Sequence, residues 1–145
     1  GITPHYIPYD SDDRRAFEER AVEVIQNNGC DLVILAGFMR VLTEYFVGQF
    51  EDRILNIHPS LLPSFRGLEA QKQALDYGVK VTGCTVHVVT ESVDGGPIVD
   101  QVAVRVKEDD TVDSLSKRIL EQEHQLFPRA IQQYIDDELR VTSDK

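Results

Sequence analysis

The run DLVILAG at residues 31–37 is apolar at five consecutive positions and lies between two segments of helical character. A strand with one wet face alternates apolar and polar residues; a short unbroken apolar run predicts a strand covered on both faces. That requires helices on both sides of a sheet, and the rest of the chain supplies them. Residues 11–29, SDDRRAFEERAVEVIQNNG, have a Ser/Asp start, apolar positions at Phe17, Ala21, Val24 and Ile25, and a Gly stop, which predicts a helix. Residues 43–50 read as a short helix, 53–58 (RILNIH) as a second strand, and 67–78 as a helix closed by Gly78. Residues 81–90 and 97–106 read as strands joined by ESVDGG, a hairpin-like connection. A long helix is expected from about 111 to 136. Alternating elements of this kind predict an α/β fold: a Rossmann-like, mostly parallel sheet with helices on both faces and an antiparallel edge. Ligands collect at the carboxyl ends of strands in such sheets.

The chain of 145 residues is long enough for one domain and short for two. Its net charge of −10 disfavours nucleic acid or an anionic membrane as partner. No tract of 18 apolar residues and no signal-like start is present, so neither a membrane span nor secretion is expected. Cys30 and Cys84 have no metal-ligand spacing and read as reduced thiols of a cytoplasmic protein. The chain opens GITPHYIPYD without a Met, as a processed tag scar would, or a domain that begins upstream.

NIHPSLLPSFRG, residues 56–67, closes the second strand. Pro59 forces an extended or turn conformation on His58, so the imidazole is held on stiff backbone. Asn56 and His58 are two residues apart and share a strand face. An amide donor and an imidazole aimed at one point suit a developing oxyanion and a proton transfer. A His satisfied by a backbone carbonyl fits the same spacing. Asp94, in VDGG, is ordinary turn chemistry unless the turn folds beside His58, where it would orient the imidazole. No Ser or Cys nucleophile motif occurs, which favours direct attack by an amine or water.

Along the last helix, Val112, Ile119, Leu120, Leu126, Phe127, Ala130 and Tyr134 form an apolar stripe with Glu123 near its middle. A carboxylate there binds a substrate group or pairs with a core cation. His87 alternates with apolar neighbours and reads as packing, and His5 and His124 have no constellation. No zinc spacing and no Gly-rich phosphate loop occur, so no metal is expected.

LAGFMRVLTEYFV, NIHPSLLPSFRG, VTGCTVHVVTESVDGGPIVDQ and EHQLFPRAI together resemble the glycinamide ribonucleotide transformylases (phosphoribosylglycinamide formyltransferases) of the formyltransferase superfamily. The resemblance covers essentially the whole chain and implies a single formyltransferase domain, residues 1–145. It implies formyl transfer from 10-formyltetrahydrofolate to the amine of glycinamide ribonucleotide, a step of purine (IMP) synthesis, by a cytoplasmic monomer or homodimer. It places the catalytic residues at Asn56, His58 and Asp94. Folate contacts fall on Arg14, on Met39, Arg40, Val41 and Leu42, on Asn56, and on Thr90, Glu91, Ser92, Val93 and Asp94. The ribonucleotide-contacting acid falls on Glu123, and a cis proline at Leu62–Pro63. The family's first strand and phosphate loop are expected before Gly1. The rival readings are a formyltetrahydrofolate hydrolase, whose loop reads His-His-Ser where this chain has His58-Pro59-Ser60, and a non-catalytic folate-binding fragment. Methionyl-tRNA formyltransferase would need an RNA-binding surface and a further domain.

Overall fold

The computed structural model describes residues 1–38 and 40–139. The elements follow the order α1 (Arg14–Asn27), β1 (Val33–Ile34), α2 (Glu44–Gln49), β2 (Ile54–His58), α3 (Ala70–Tyr77), β3 (Val81–Val88), β4 (Ile98–Arg105) and α4 (Val112–Tyr134). The last helix runs on into a π-helical turn, Ile135–Leu139. Among the described residues four strands form one sheet in the order β1-β2-β3-β4.

The α/β fold and the antiparallel edge are as the sequence predicts, but the parallel share is smaller. Only β1 and β2 pair in parallel, whereas β2–β3 and β3–β4 are antiparallel. The sheet is therefore mixed rather than mostly parallel. A parallel connection needs a crossover helix laid along the sheet. The α3 helix instead packs against α4, and the chain turns back from the carboxyl end of β2. The apolar run at 31–37 also yields less strand than expected. β1 is two residues long, and Ile34 is 37% exposed. Among the described residues β1 has a neighbour on one side only, so its ladder is limited to what β2 offers.

β2 is the strand buried on both faces. Ile54 packs with Val22 of α1 and with Phe46, Val47 and Phe50 of and after α2. Its neighbour Leu55 points the other way, into a cluster with Val88 and Tyr134 of α4. Helices thus cover both faces. The larger core lies between β3, β4 and α4, where Cys84 and Val86 meet Leu115, Ile119, Leu126 and Ala130. Truncating one such Leu or Ile to Ala costs about 2–5 kcal/mol. The expected stripe on α4 is shifted: Val112 and Leu120 are exposed, and Leu115 takes their place in the core.

Local signals set the ends of the helices. Asp13 caps α1 by accepting the Ala16 N–H at 3.1 Å. Thr111 and Ser114 form a capping box at the start of α4. Gly78, at φ 89°, closes α3 in the left-handed region that glycine adopts without strain.

Candidate active site

Asn56 and His58 share one face of β2, and the register extends that face onto β3. Asn56 pairs with His87 and His58 with Thr85, so four polar side chains stand together on the sheet. His58 is buried, and its Nε2 donates to the Phe65 carbonyl at 2.8 Å. Its Nδ1 points to Asp94, whose Oδ2 is 3.5 Å away. His58 therefore has both the backbone partner of a packed imidazole and the carboxylate neighbour of an oriented one. One nitrogen is satisfied by backbone, which fixes the ring, and the other faces a carboxylate.

The loop that follows is fastened in several places. The Thr85 hydroxyl donates to the Ser60 carbonyl at 2.7 Å and accepts Leu62 N–H at 3.1 Å and Gln101 Nε2 at 3.0 Å. Gln101 also donates to the Leu62 carbonyl at 3.0 Å. Leu62–Pro63 is cis, as the resemblance implies. Phe65 adopts φ 54°, a conformation that aims its carbonyl at His58.

Asp94 reaches the site because the 91–96 turn folds over the end of β3. It adopts φ 52°, and its Oδ2 accepts the Gly67 N–H at 2.8 Å. The two glycines after it are sterically required. A Cβ on Gly95 would lie 2.2 Å from Ser92 Oγ, and one on Gly96 would lie 1.8 Å from the Val88 carbonyl oxygen. Its other oxygen, Oδ1, is 3.7 Å from His87 Nε2, which is itself 3.5 Å from Asn56 Nδ2. His87 thus touches two of the three candidate catalytic residues, where sequence reasoning had it as packing. Burial pushes its pKa down from 6.5, while Asp94 pulls the other way. The signal for His87 was the polar pair Thr85/His87, two residues apart like Asn56/His58 on an otherwise apolar strand.

These groups open onto a cavity of about 890 Å³. Its walls are mostly apolar, with a few convergent polar groups, the usual make-up of a small-molecule site. Of the expected residues, Arg40, Val41, Asn56, His58, Val93, Asp94 and Glu123 line it. Arg14, Leu42, Thr90, Glu91 and Ser92 do not: Leu42 packs against the α1–α2 core, and Arg14 is exposed. Met39 lies outside the described residues. His124, for which the sequence offered no partner, lines the cavity beside Glu123. Burial raises the Glu123 pKa above 4.5, and the adjacent His124 opposes this. Among the described residues no Arg or Lys pairs with Glu123, which leaves its carboxylate free for a ligand.

A profile of the formyl transferase family matches residues 3–131. This chain belongs to the formyl transferase family. The formyl transferase chain is 39% identical over 142 residues to the phosphoribosylglycinamide formyltransferase of Escherichia coli, an alignment covering 97% of this chain and 67% of that protein. It is 54% identical over 119 residues to the bovine trifunctional purine biosynthetic protein adenosine-3, covering 82% of this chain but 12% of that protein. Among solved structures, glycinamide ribonucleotide transformylase 1 of Symbiobacterium toebii superposes with a TM-score of 0.81 at 55% identity, covering 85% of this chain and 59% of the other. A formyltetrahydrofolate deformylase of Pseudomonas syringae superposes at 0.88 with 31% identity, covering 94% and 46%. The formyl transferase chain therefore spans from about an eighth to two thirds of the length of these relatives.

Proposed function

We propose that the protein carrying this chain transfers a formyl group from 10-formyltetrahydrofolate to the amine of glycinamide ribonucleotide, a step of purine synthesis. The observation that carries the reading is the convergence of Asn56, His58 and Asp94 at one end of a ligand-sized cavity, in a formyl transferase chain. The cavity fits the co-substrate: apolar walls suit a planar ring system, and Arg40 and the turn at 93–94 offer polar contacts. The reduced folate supplies the formyl group. Asn56 donates to the formyl oxygen as it gains negative charge under attack by the amine. His58 Nδ1, held beside Asp94, takes the proton lost by the attacking amine and passes it to the folate nitrogen that leaves, and Asp94 stabilises the positive charge carried between the two transfers. No covalent bond to the protein forms. Glu123 binds the ribonucleotide from the α4 side.

We further take the protein to act on small molecules in the cytoplasm, as a monomer or homodimer. No described helix is long and apolar enough to cross a membrane.

The rival with an observation behind it is hydrolysis of the same folate, because the deformylase structure superposes well. His58-Pro59-Ser60 argues for transfer, and so does sequence identity, which is higher to the transformylase. The test is a rate measurement on the complete polypeptide, with and without glycinamide ribonucleotide. Transfer predicts folate turnover that depends on the amine, and its loss in His58→Ala in a chain that still folds, melting somewhat lower because the Phe65 carbonyl loses its partner. Formate release at the same rate without the amine would establish the hydrolase instead.

A further inference from the structure

α1 is joined to the segment after β1 by a buried carboxylate. Glu18 is 1% exposed, although most of the residues around it on α1 are not buried. Its Oε2 accepts the Thr43 N–H at 3.0 Å, and its Oε1 accepts the Thr43 hydroxyl. Thr43 is the N-cap of α2, yet its side chain makes no capping bond to that helix. A capping threonine ordinarily turns its oxygen to the helix N–H groups. Here the hydroxyl is turned back to α1.

Two further contacts join the same elements. The Arg15 guanidinium lies 3.5 Å from the centre of the Tyr45 ring. The Arg40 guanidinium lies 3.7 Å from the centre of the Tyr9 ring, which packs edge-on against Phe17 at 5.1 Å. Arg15 and Glu18 on α1 therefore reach residues 45 and 43 directly, and Phe17 meets Arg40 only through Tyr9. Glu18 is the one whose bonds are buried and directional. Between β1 and Thr43 lie Phe38, Arg40 and Val41, which line the cavity next to Asn56 and His58.

We propose that Glu18 is a positioning residue for the formyl donor. By holding Thr43 it fixes the cavity-lining residues Phe38, Arg40 and Val41 against the carboxyl end of β2, and so sets the affinity for the folate. It does not itself line the cavity. The effect falls on the donor because the acceptor's expected partner, Glu123, comes from α4 on the opposite face of the sheet. A carboxylate buried this deeply is stable only while its bonds are complete, so Thr43 is held to α1. This inference rests on the formyl-transfer reading.

The experiment measures kcat and both KM values in the complete polypeptide for wild type, Glu18→Ala, Glu18→Gln and Thr43→Ala, together with melting temperatures. Glu18→Ala raises the donor KM about tenfold, a loss of about 1.4 kcal/mol of donor binding. The acceptor KM and kcat at saturating donor stay at wild-type values. Glu18→Gln restores most of the donor affinity, because its amide accepts the Thr43 N–H and donates to the hydroxyl. Thr43→Ala, which keeps the N–H bond, falls between and carries the same comparison if Glu18→Ala does not fold. A lower melting temperature with unchanged donor KM in the variants would overturn the proposal, as would equal rises in both KM values. If wild type transfers no formyl group, the functional reading fails by itself. Calorimetric Kd values for the reduced folate then show whether Glu18 sets its affinity.

Discussion

Replacing Asp94 with Asn removes one charge from the site and leaves its shape. Asn tolerates the left-handed backbone at φ 52° and keeps an oxygen to accept the Gly67 N–H. What is lost is the carboxylate 3.5 Å from His58 Nδ1, a pair in which both side chains are nearly buried. Two unit charges about 4 Å apart interact by about 4 kcal/mol at an effective dielectric of about 20. That figure is a ceiling. The separation exceeds the roughly 2.7–2.9 Å of a strong charge-assisted hydrogen bond, and Gly67 shares the same oxygen. Half the ceiling, about 2 kcal/mol, corresponds to a loss in kcat of about 30-fold. The assay is the initial rate of formyl transfer at saturating donor and acceptor, read beside a thermal melt. The expected result is the fall in kcat at a nearly unchanged melting temperature. Turnover by Asp94→Asn at the wild-type rate would refute the coupling of Asp94 to His58, and with it the mechanism given for the proton.

Glu123 titrates above its ordinary 4.5 because burial disfavours its charge. The folded state then holds the Glu123 proton more tightly than the unfolded chain does. Its destabilising effect is absent below about pH 4.5 and grows as pH rises through the raised value. Glu123→Gln should therefore melt higher than wild type at neutral pH, lose that advantage near pH 4.5, and show a raised KM for the ribonucleotide; a pH-independent difference in melting temperature would contradict this. The cysteines give a simpler test. Burial pushes the Cys84 thiol up to about 11, whereas Cys30 is exposed. A thiol reagent at pH 8 should modify Cys30 alone in the folded chain and both after denaturation, and fast labelling of Cys84 in the native state would show that the β3–α4 core opens.

What the sequence made legible was local. Caps, glycine stops and helical period located α1, α3 and α4, and each of β1 to β4 falls inside a segment read as a strand. What it could not give was each strand's neighbours. DLVILAG reads as a strand covered on both faces, yet Ile34 on β1 is exposed, and β2 holds the doubly buried position. The stripe on α4 shows the same limit. Helical period allows Val112 and Leu120 a place in the core, and only the angle at which α4 crosses the sheet selects Leu115 over them. Register and crossing angle are tertiary quantities that no window of residues contains.

The site divides along the same line. Asn56 and His58 were legible because two residues on a strand always share a face and Pro59 stiffens the second of them. Asp94 was not, because Asp-Gly-Gly is sufficient reason for a turn wherever it lies. Its chemistry depends on the β2–β3 register. With Asn56 opposite His87, the turn after β3 comes down beside His58, and a slip of one residue would turn His87 and Thr85 to the opposite face. The Thr85 hydroxyl then becomes more than a core polar group. Its bonds to Ser60 and Leu62 fix the loop after His58 to β3, the strand whose end delivers Asp94. Loop and turn are thus held to one reference strand, and the separation of His58 from Asp94 depends on that strand rather than on either flexible segment.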